Sequence, residues 1–213
     1  DNWGKPLDIL DPGVGLKQYP CCASTHSPID ATLILREKHK LTPEKVAKIE
    51  SITHSRNLDH TNRPDPRSTL DAKFSVQYCV ARALLSGGVT AGDFEGDAYM
   101  EPAVRQLLSR VHARPHAHSP RGMQDHFECE VIVTTTDGKT YSQKFTQPLR
   151  GPQNLEPPDR LEAKFRDCAA QALRPDAIAR VLEAIRGFES LKDVRELSSL
   201  MASSVRTGAR RAA

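Results

Sequence analysis

The stretch His126 to Gln147, HFECEVIVTTTDGKTYSQKFTQ, decides the fold class. Phe127, Cys129, Val131 and Val133 alternate with polar residues, and Tyr141 and Phe145 resume the alternation beyond Asp137-Gly138. Apolar residues two apart share one face of a strand, so both runs read as half-buried strands. Asp137-Gly138 between them is the signal of a two-residue type I′ turn, and a β-hairpin is expected. Upstream, Val46 to His54 (VAKIESITH) is rich in β-branched residues and reads as a further strand, entered from the turn Thr42-Pro43-Glu44.

Helical signals flank these strands. Ser27 stands as N-cap before Pro28, and Ile29 and Leu33 follow at helical spacing to about Lys38. A second helix is expected from Thr69 to Ser86, with Leu70, Phe74, Gln77, Tyr78, Ala81, Leu84 and Leu85 on one side and a stop at Gly87-Gly88. A third is expected from Glu101 to Arg110, with Pro102 in its first turn. Arg56 to Ser68, holding Pro64 and Pro66, reads as a loop. Asp1 to Pro20 is rich in Gly and Pro and reads as an extended approach, with a short strand over Val14 to Tyr19.

Downstream, Gly151 to Pro158 is a Pro-rich linker, and the composition then turns wholly helical. Leu161, Phe165, Cys168 and Ala172 form one apolar stripe; Ile178, Val181, Leu182, Ile185 and Phe188 form a second; Val194, Leu197 and Leu200 suggest a short third helix before a basic, frayed tail from Ala202. The expected class is α+β: an α/β unit with mixed strands and a hairpin over residues 1–150, then C-terminal helices over 151–213. Helices this few and short rarely bury their stripes by themselves, so they read as one side of an all-helical domain. No repeat at solenoid periods is visible.

Composition narrows the function. In 213 residues, 30 Lys+Arg against 27 Asp+Glu leave a net charge of +3, too weak and too scattered to indicate nucleic acid or an anionic membrane as partner. No apolar stretch, Ala31 to Leu35 included, approaches the roughly 20 residues of a spanning helix. Asp1 is not followed by a basic-then-apolar leader, and five cysteines, two of them adjacent, do not make an even, spaced disulfide set. Reduced thiols in a cytoplasmic protein are expected.

The densest polar cluster runs from Lys17 to His26, KQYPCCASTH, and places an ammonium, the Tyr19 phenol, the Cys21 and Cys22 thiols and an imidazole within ten residues. It ends at a helix start, where unpaired N–H groups favour a carboxylate or phosphate. His26 is suited to move a proton near neutral pH and Lys17 to hold an anion. The plainer alternative has Lys17 solvated, the cysteines packed as small hydrophobes and His26 capping the helix. Adjacent cysteines lack the C-x2-C spacing of a zinc site, and His112, His116, His118 and His126 have no acidic or Cys partners at ligand spacing. There is no P-loop, no G-x-G-x-x-G, no G-x-S-x-G and no H-E-x-x-H. Lys73, Gln77 and Tyr78 are further candidates as a polar edge on an apolar helix, against a reading in which Lys73 snorkels and Tyr78 is a core aromatic with a satisfied hydroxyl.

The runs KQYPCCASTHSPIDA (Lys17 to Ala31), NRPDP (Asn62 to Pro66), DAKFSVQYCVARALLSG (Asp71 to Gly87) and LEAKFRDCA (Leu161 to Ala169) together resemble the MmgE/PrpD family. That resemblance implies a large helical domain with an inserted α/β lid, of which this sequence matches the lid and the returning C-terminal helices. It also implies metal-independent, cofactor-free lyase chemistry on a small di- or tricarboxylate in a cleft between the two. Dehydration of the 2-methylcitrate type is the first expectation, with decarboxylation or epimerisation as the other outcomes. By motif, His26 and Tyr78 are the catalytic candidates, and Lys17, Tyr19, Cys22 and Lys73 the substrate-binding ones. Some decarboxylase members carry a histidine where this chain has Cys22. A homodimer, a helical half or partner chain completing the site, and inactivity of this chain by itself are also expected. The alternative from another class is a non-catalytic anion-binding or assembly module on the same scaffold.

Overall fold

The computed structural model describes residues 4–7, 9–13, 15–117, 128–146 and 157–205. The chain organises as two compact units, Asp1–Glu156 and Pro157–Ala213. In the first, four strands form one sheet in the order β2-β1-β3-β4. β1 (Val46–Thr53) runs parallel to β2 (Val111–Pro115) and antiparallel to β3 (Glu128–Thr135), which pairs antiparallel with β4 (Thr140–Thr146). This mixed sheet with its helices is the expected α+β class. The register sets Ile49 opposite both Val111 and Val133, and the alternation along β3 buries Cys129, Val131, Val133 and Thr135.

Two helices cover the inner face of the sheet. α1 (His26–His39) lies over β3 and β4, and His39 stacks on Tyr141 with ring centroids 3.8 Å apart. α4 (Val76–Ser86) packs against α1, β2 and α5 (Pro102–Leu108), and every residue from Val76 to Leu84 is buried. A helix enclosed on all sides is the central helix of its unit, which the one-sided stripe expected here understated. Its stop is as expected: Gly87 takes a left-handed φ of +73°, its N–H bonds the Ala83 carbonyl, and a Cβ there would stand 2.7 Å from the Arg36 guanidinium.

Several boundaries differ from the sequence expectation, each for a local reason. The helix expected over Thr69–Ser86 is two, α3 (Thr69–Lys73) and α4, broken at Phe74-Ser75. There the Ser75 hydroxyl accepts the Tyr78 N–H (3.0 Å) and donates to the Arg63 carbonyl (2.5 Å), an N-cap with a tertiary anchor. The break turns Leu70 out to 63% exposure. The loop expected over Arg56–Ser68 opens with α2 (Ser55–Thr61), capped by the His54 ring, which accepts the Arg56 N–H. α1 starts at His26, one residue before the expected cap Ser27, because the 3-10 turn Ala23–Thr25 feeds directly into it.

The hairpin turn is not type I′. The Thr135 carbonyl accepts from Gly138, Thr135 N–H donates to Lys139, and only Gly138, at φ +84°, is left-handed. Three loop residues ending in a left-handed glycine make a type I turn with a bulge. The Asp1–Pro20 approach includes a wide helical turn at Ile9–Gly13, and the described residues of the expected strand, 15–19, join no sheet. His118, His126, Phe127, Gln147, residues 151–156 of the linker and 206–213 of the tail lie outside the described residues.

The second unit holds α6 (Pro158–Ala170), α7 (Pro175–Arg186) and α8 (Arg195–Ser203). Its core is small: Leu173, Ile178 and Val181, with Phe165, Ala169, Leu197 and Leu200 against them. An antiparallel bridge of Leu173 with Val205 and the bond from Arg174 N–H to the Ser204 carbonyl close it. Phe188 (52%), Val194 (60%), Ile185 and Met201 remain exposed, so these stripes are only half used.

Candidate functional site

The segment from Lys17 to His26 folds into a turn held at both ends. The Lys17 ammonium donates to the Cys21 carbonyl at 3.1 Å, and the Cys22 N–H reaches the Lys73 carbonyl at the end of α3 (2.9 Å). Thr25 returns on the segment: its N–H and its hydroxyl both donate to the Cys22 carbonyl, at 2.9 and 2.8 Å. The next N–H, that of His26, is taken by the Ala23 carbonyl. The donors expected to be open at this helix start are therefore partly consumed by the 3-10 turn, which weakens the anion-binding argument from helix geometry.

The polar side chains split between surface and interior. Lys17 is exposed, and Cys22 and Lys73 are half-buried. His26 is 3% exposed, beneath Tyr19, whose ring meets it edge-on at 5.2 Å and 86°. The Tyr19 hydroxyl donates to Asp30, one helical turn beyond His26, at 2.7 Å. His26 Nε2 is enclosed without a hydrogen-bond partner. The Cys21 thiol is held well below its ordinary pKa, foremost by a hydrogen bond with Cys79, against the opposing effect of burial, with His26 and Thr25 adding to the shift. Thus Tyr19, Cys21, Thr25 and His26 meet in one enclosed cluster, whereas Lys17 lies outside it at the surface.

Tyr78 is seated elsewhere. It is fully buried, with its hydroxyl donating to the Asp93 carbonyl and accepting from Arg82 Nε at 2.9 Å. Burial pushes its pKa up to about 12, so it stays protonated. Arg82, almost as deeply enclosed, also bonds Glu101 (2.8 Å) and the Ala98 carbonyl (2.6 Å). Tyr78 and Cys79 are successive on α4 and so about 100° apart, which gives one to the Arg82 network and the other to the Ala72 carbonyl. Gln77 bonds Asn62 at 2.6 Å.

One neighbour had no signal in the sequence. His60, on the unexpected helix α2, brings its Nε2 to 3.2 Å from the Ser24 hydroxyl and sets its ring against Phe74, over which Arg63 also lies. Among the described residues, no group of three or more His, Cys, Asp or Glu is arranged to hold a metal, and no helix is long and apolar enough to cross a membrane.

Comparison with known proteins agrees with the motifs. The chain is 31% identical over 203 residues to cis-aconitate decarboxylase of Mus musculus, and 31% identical over 205 residues to that of Homo sapiens. Each alignment covers 92% of this chain and 40% of the relative, so the chain spans about two-fifths of their length. The family model of the MmgE/PrpD C-terminal domain matches residues 19–189, taking in the Tyr19 to His26 turn, the sheet and helices α6 and α7. With that match over most of its length, the chain belongs to the MmgE/PrpD family.

Proposed function

We propose that this chain forms part of a lyase acting on a small di- or tricarboxylate by metal-independent proton abstraction and elimination. Family membership supports the lyase class, and the cis-aconitate decarboxylase activity for which both relatives are named makes cis-aconitate the first substrate to test, ahead of the 2-methylcitrate expected from sequence. The observation that carries the reading is the exposed Lys17 ammonium, fastened to the Cys21 carbonyl at the mouth of a turn that encloses an imidazole. A fixed cation at that point neutralises a substrate carboxylate and the charge that develops when its α-proton leaves. Lys17 takes the contact with the carboxylate. His26 acts from beneath Tyr19 as an internal base with an unused nitrogen, and Tyr78 builds the scaffold through Arg82.

The test is turnover of cis-aconitate and of 2-methylcitrate by this chain by itself and by a full-length family protein carrying it. The reading expects turnover of at least one acid by the full-length protein and none by the chain. Full-length protein inert towards both acids but binding them would favour the anion-binding module.

A further inference from the structure

We propose that the groove between the ends of α1 and α4 is a binding site for a monocarboxylate with an apolar body, independent of the lyase reading. The groove measures about 580 Å³, within the roughly 300–1,000 Å³ of small-molecule sites, and Leu33, Arg36, Glu37, Lys40, Leu41 and Gly87 are among the residues that line it. At a rise of about 1.5 Å per residue, Arg36 lies about 15 Å along α1 from His26, so the groove is well removed from the Lys17 to His26 turn.

Two helix ends build the groove, and they differ in one residue. Both α1 and α4 close on a left-handed residue, where glycine is the usual occupant because it has no Cβ. α4 follows that rule with Gly87, whose bare Cα leaves room for the Arg36 guanidinium. α1 does not. Lys40 takes φ +49°, and among the described residues it is the one side chain held left-handed. Its N–H and that of Leu41 both reach the Arg36 carbonyl, the latter at 3.0 Å, and a glycine would make the same two bonds. The strain is therefore borne for the side chain, and that side chain lines the groove.

Arg36 supplies the second charge. Its Nε donates to the Leu84 carbonyl at 2.9 Å, which fixes the guanidinium against Gly87, and its terminal nitrogens make no hydrogen bond with a described residue. A guanidinium held by one nitrogen is preorganised to meet a carboxylate with the others. Leu41, which is buried, and Leu33, packed against the same core, give the lining its apolar part. Glu37 limits the charge: two cations against one carboxylate suit a single anionic head and disfavour a di- or tricarboxylate.

Titration of the isotope-labelled chain with octanoate, followed by NMR, tests this. The expected result is a saturable shift of the Lys40, Leu41 and Gly87 amides and of the Arg36 Nε–H, with no such response to octanol or to citrate. In Lys40→Gly the affinity is expected to fall about tenfold, as for loss of one charge-assisted contact, while the thermal midpoint stays at or above that of the parent because the left-handed strain is gone. Silence at these groups, an equal response to octanol, or tighter binding of citrate would overturn the proposal. So would parent-like affinity or a lowered midpoint in Lys40→Gly. Arg36→Gln is expected to abolish binding, and should it lose its fold by circular dichroism, Lys40→Gly decides by itself.

Discussion

Replacing Tyr78 with Phe removes one oxygen and leaves the ring in place between α4 and Phe94. That oxygen makes two buried hydrogen bonds, one donated to the Asp93 carbonyl and one accepted from the Arg82 guanidinium. A neutral bond contributes about 1 kcal/mol and one to a charged group about 1.5–3 kcal/mol. Arg82 keeps Glu101, the Ala98 carbonyl and, at 3.4 Å, the Asp93 carboxylate, so part of the second contribution is recovered. The expected loss is about 2 kcal/mol, or about 4–8 °C in Tm for a unit of this size. Urea unfolding followed by circular dichroism should show the midpoint falling with an unchanged slope. A Tyr78→Phe protein as stable as the parent within about 0.5 kcal/mol would refute the structural reading of this hydroxyl, the more so if full-length turnover vanished with it.

Three further outcomes follow from single contacts. Gly87→Ala forces a left-handed alanine and pushes a methyl against the Arg36 guanidinium, which also holds the Leu84 carbonyl; a loss of about 1–2 kcal/mol is expected in the same unfolding assay. Tyr19→Phe removes the bond to the buried Asp30 and should cost about 1.5–3 kcal/mol while shifting the His26 ring resonances in an NMR spectrum, because the two rings touch. Asp137 is held down to about 2, first by Lys139 and then by the Thr135 hydroxyl. Its folded pKa lies below the unfolded value of about 3.9, so its contribution is complete above that value and lost as pH falls towards 2. NMR shifts of Thr135 and Lys139 should follow that window and become flat in Asp137→Asn.

What could be read from the sequence was local. β1, the β3–β4 pair, the stop at Gly87 and the three terminal helices each announce themselves within a dozen residues through periodicity and breakers. The misplaced boundaries depend on contacts the sequence does not display. Ser75 breaks a continuous helical pattern because its hydroxyl finds the Arg63 carbonyl, and α2 begins because an imidazole caps it. The site divides in the same way. Lys17, Tyr19, Cys22 and His26 stand out in the sequence as one polar segment, but it does not show that Tyr19, Cys21, Thr25 and His26 turn inward together while Lys17 stays at the surface. Tyr78 sits in a motif beside the cluster and belongs to a network whose partners, Asp93, Ala98 and Glu101, lie 15 to 23 residues further on.

Lys17 is the group proposed to meet a substrate carboxylate, through an ammonium already held on the Cys21 carbonyl. The direct measurement is steady-state kinetics of Lys17→Ala in a full-length protein carrying this chain, with Lys17→Arg beside it and thermal unfolding as control. One charge-assisted contact of about 1.5–3 kcal/mol predicts KM for the carboxylate substrate raised about tenfold to a hundredfold, partly restored by Arg, with Tm unchanged. A KM and kcat within about twofold of the parent in Lys17→Ala would contradict the account.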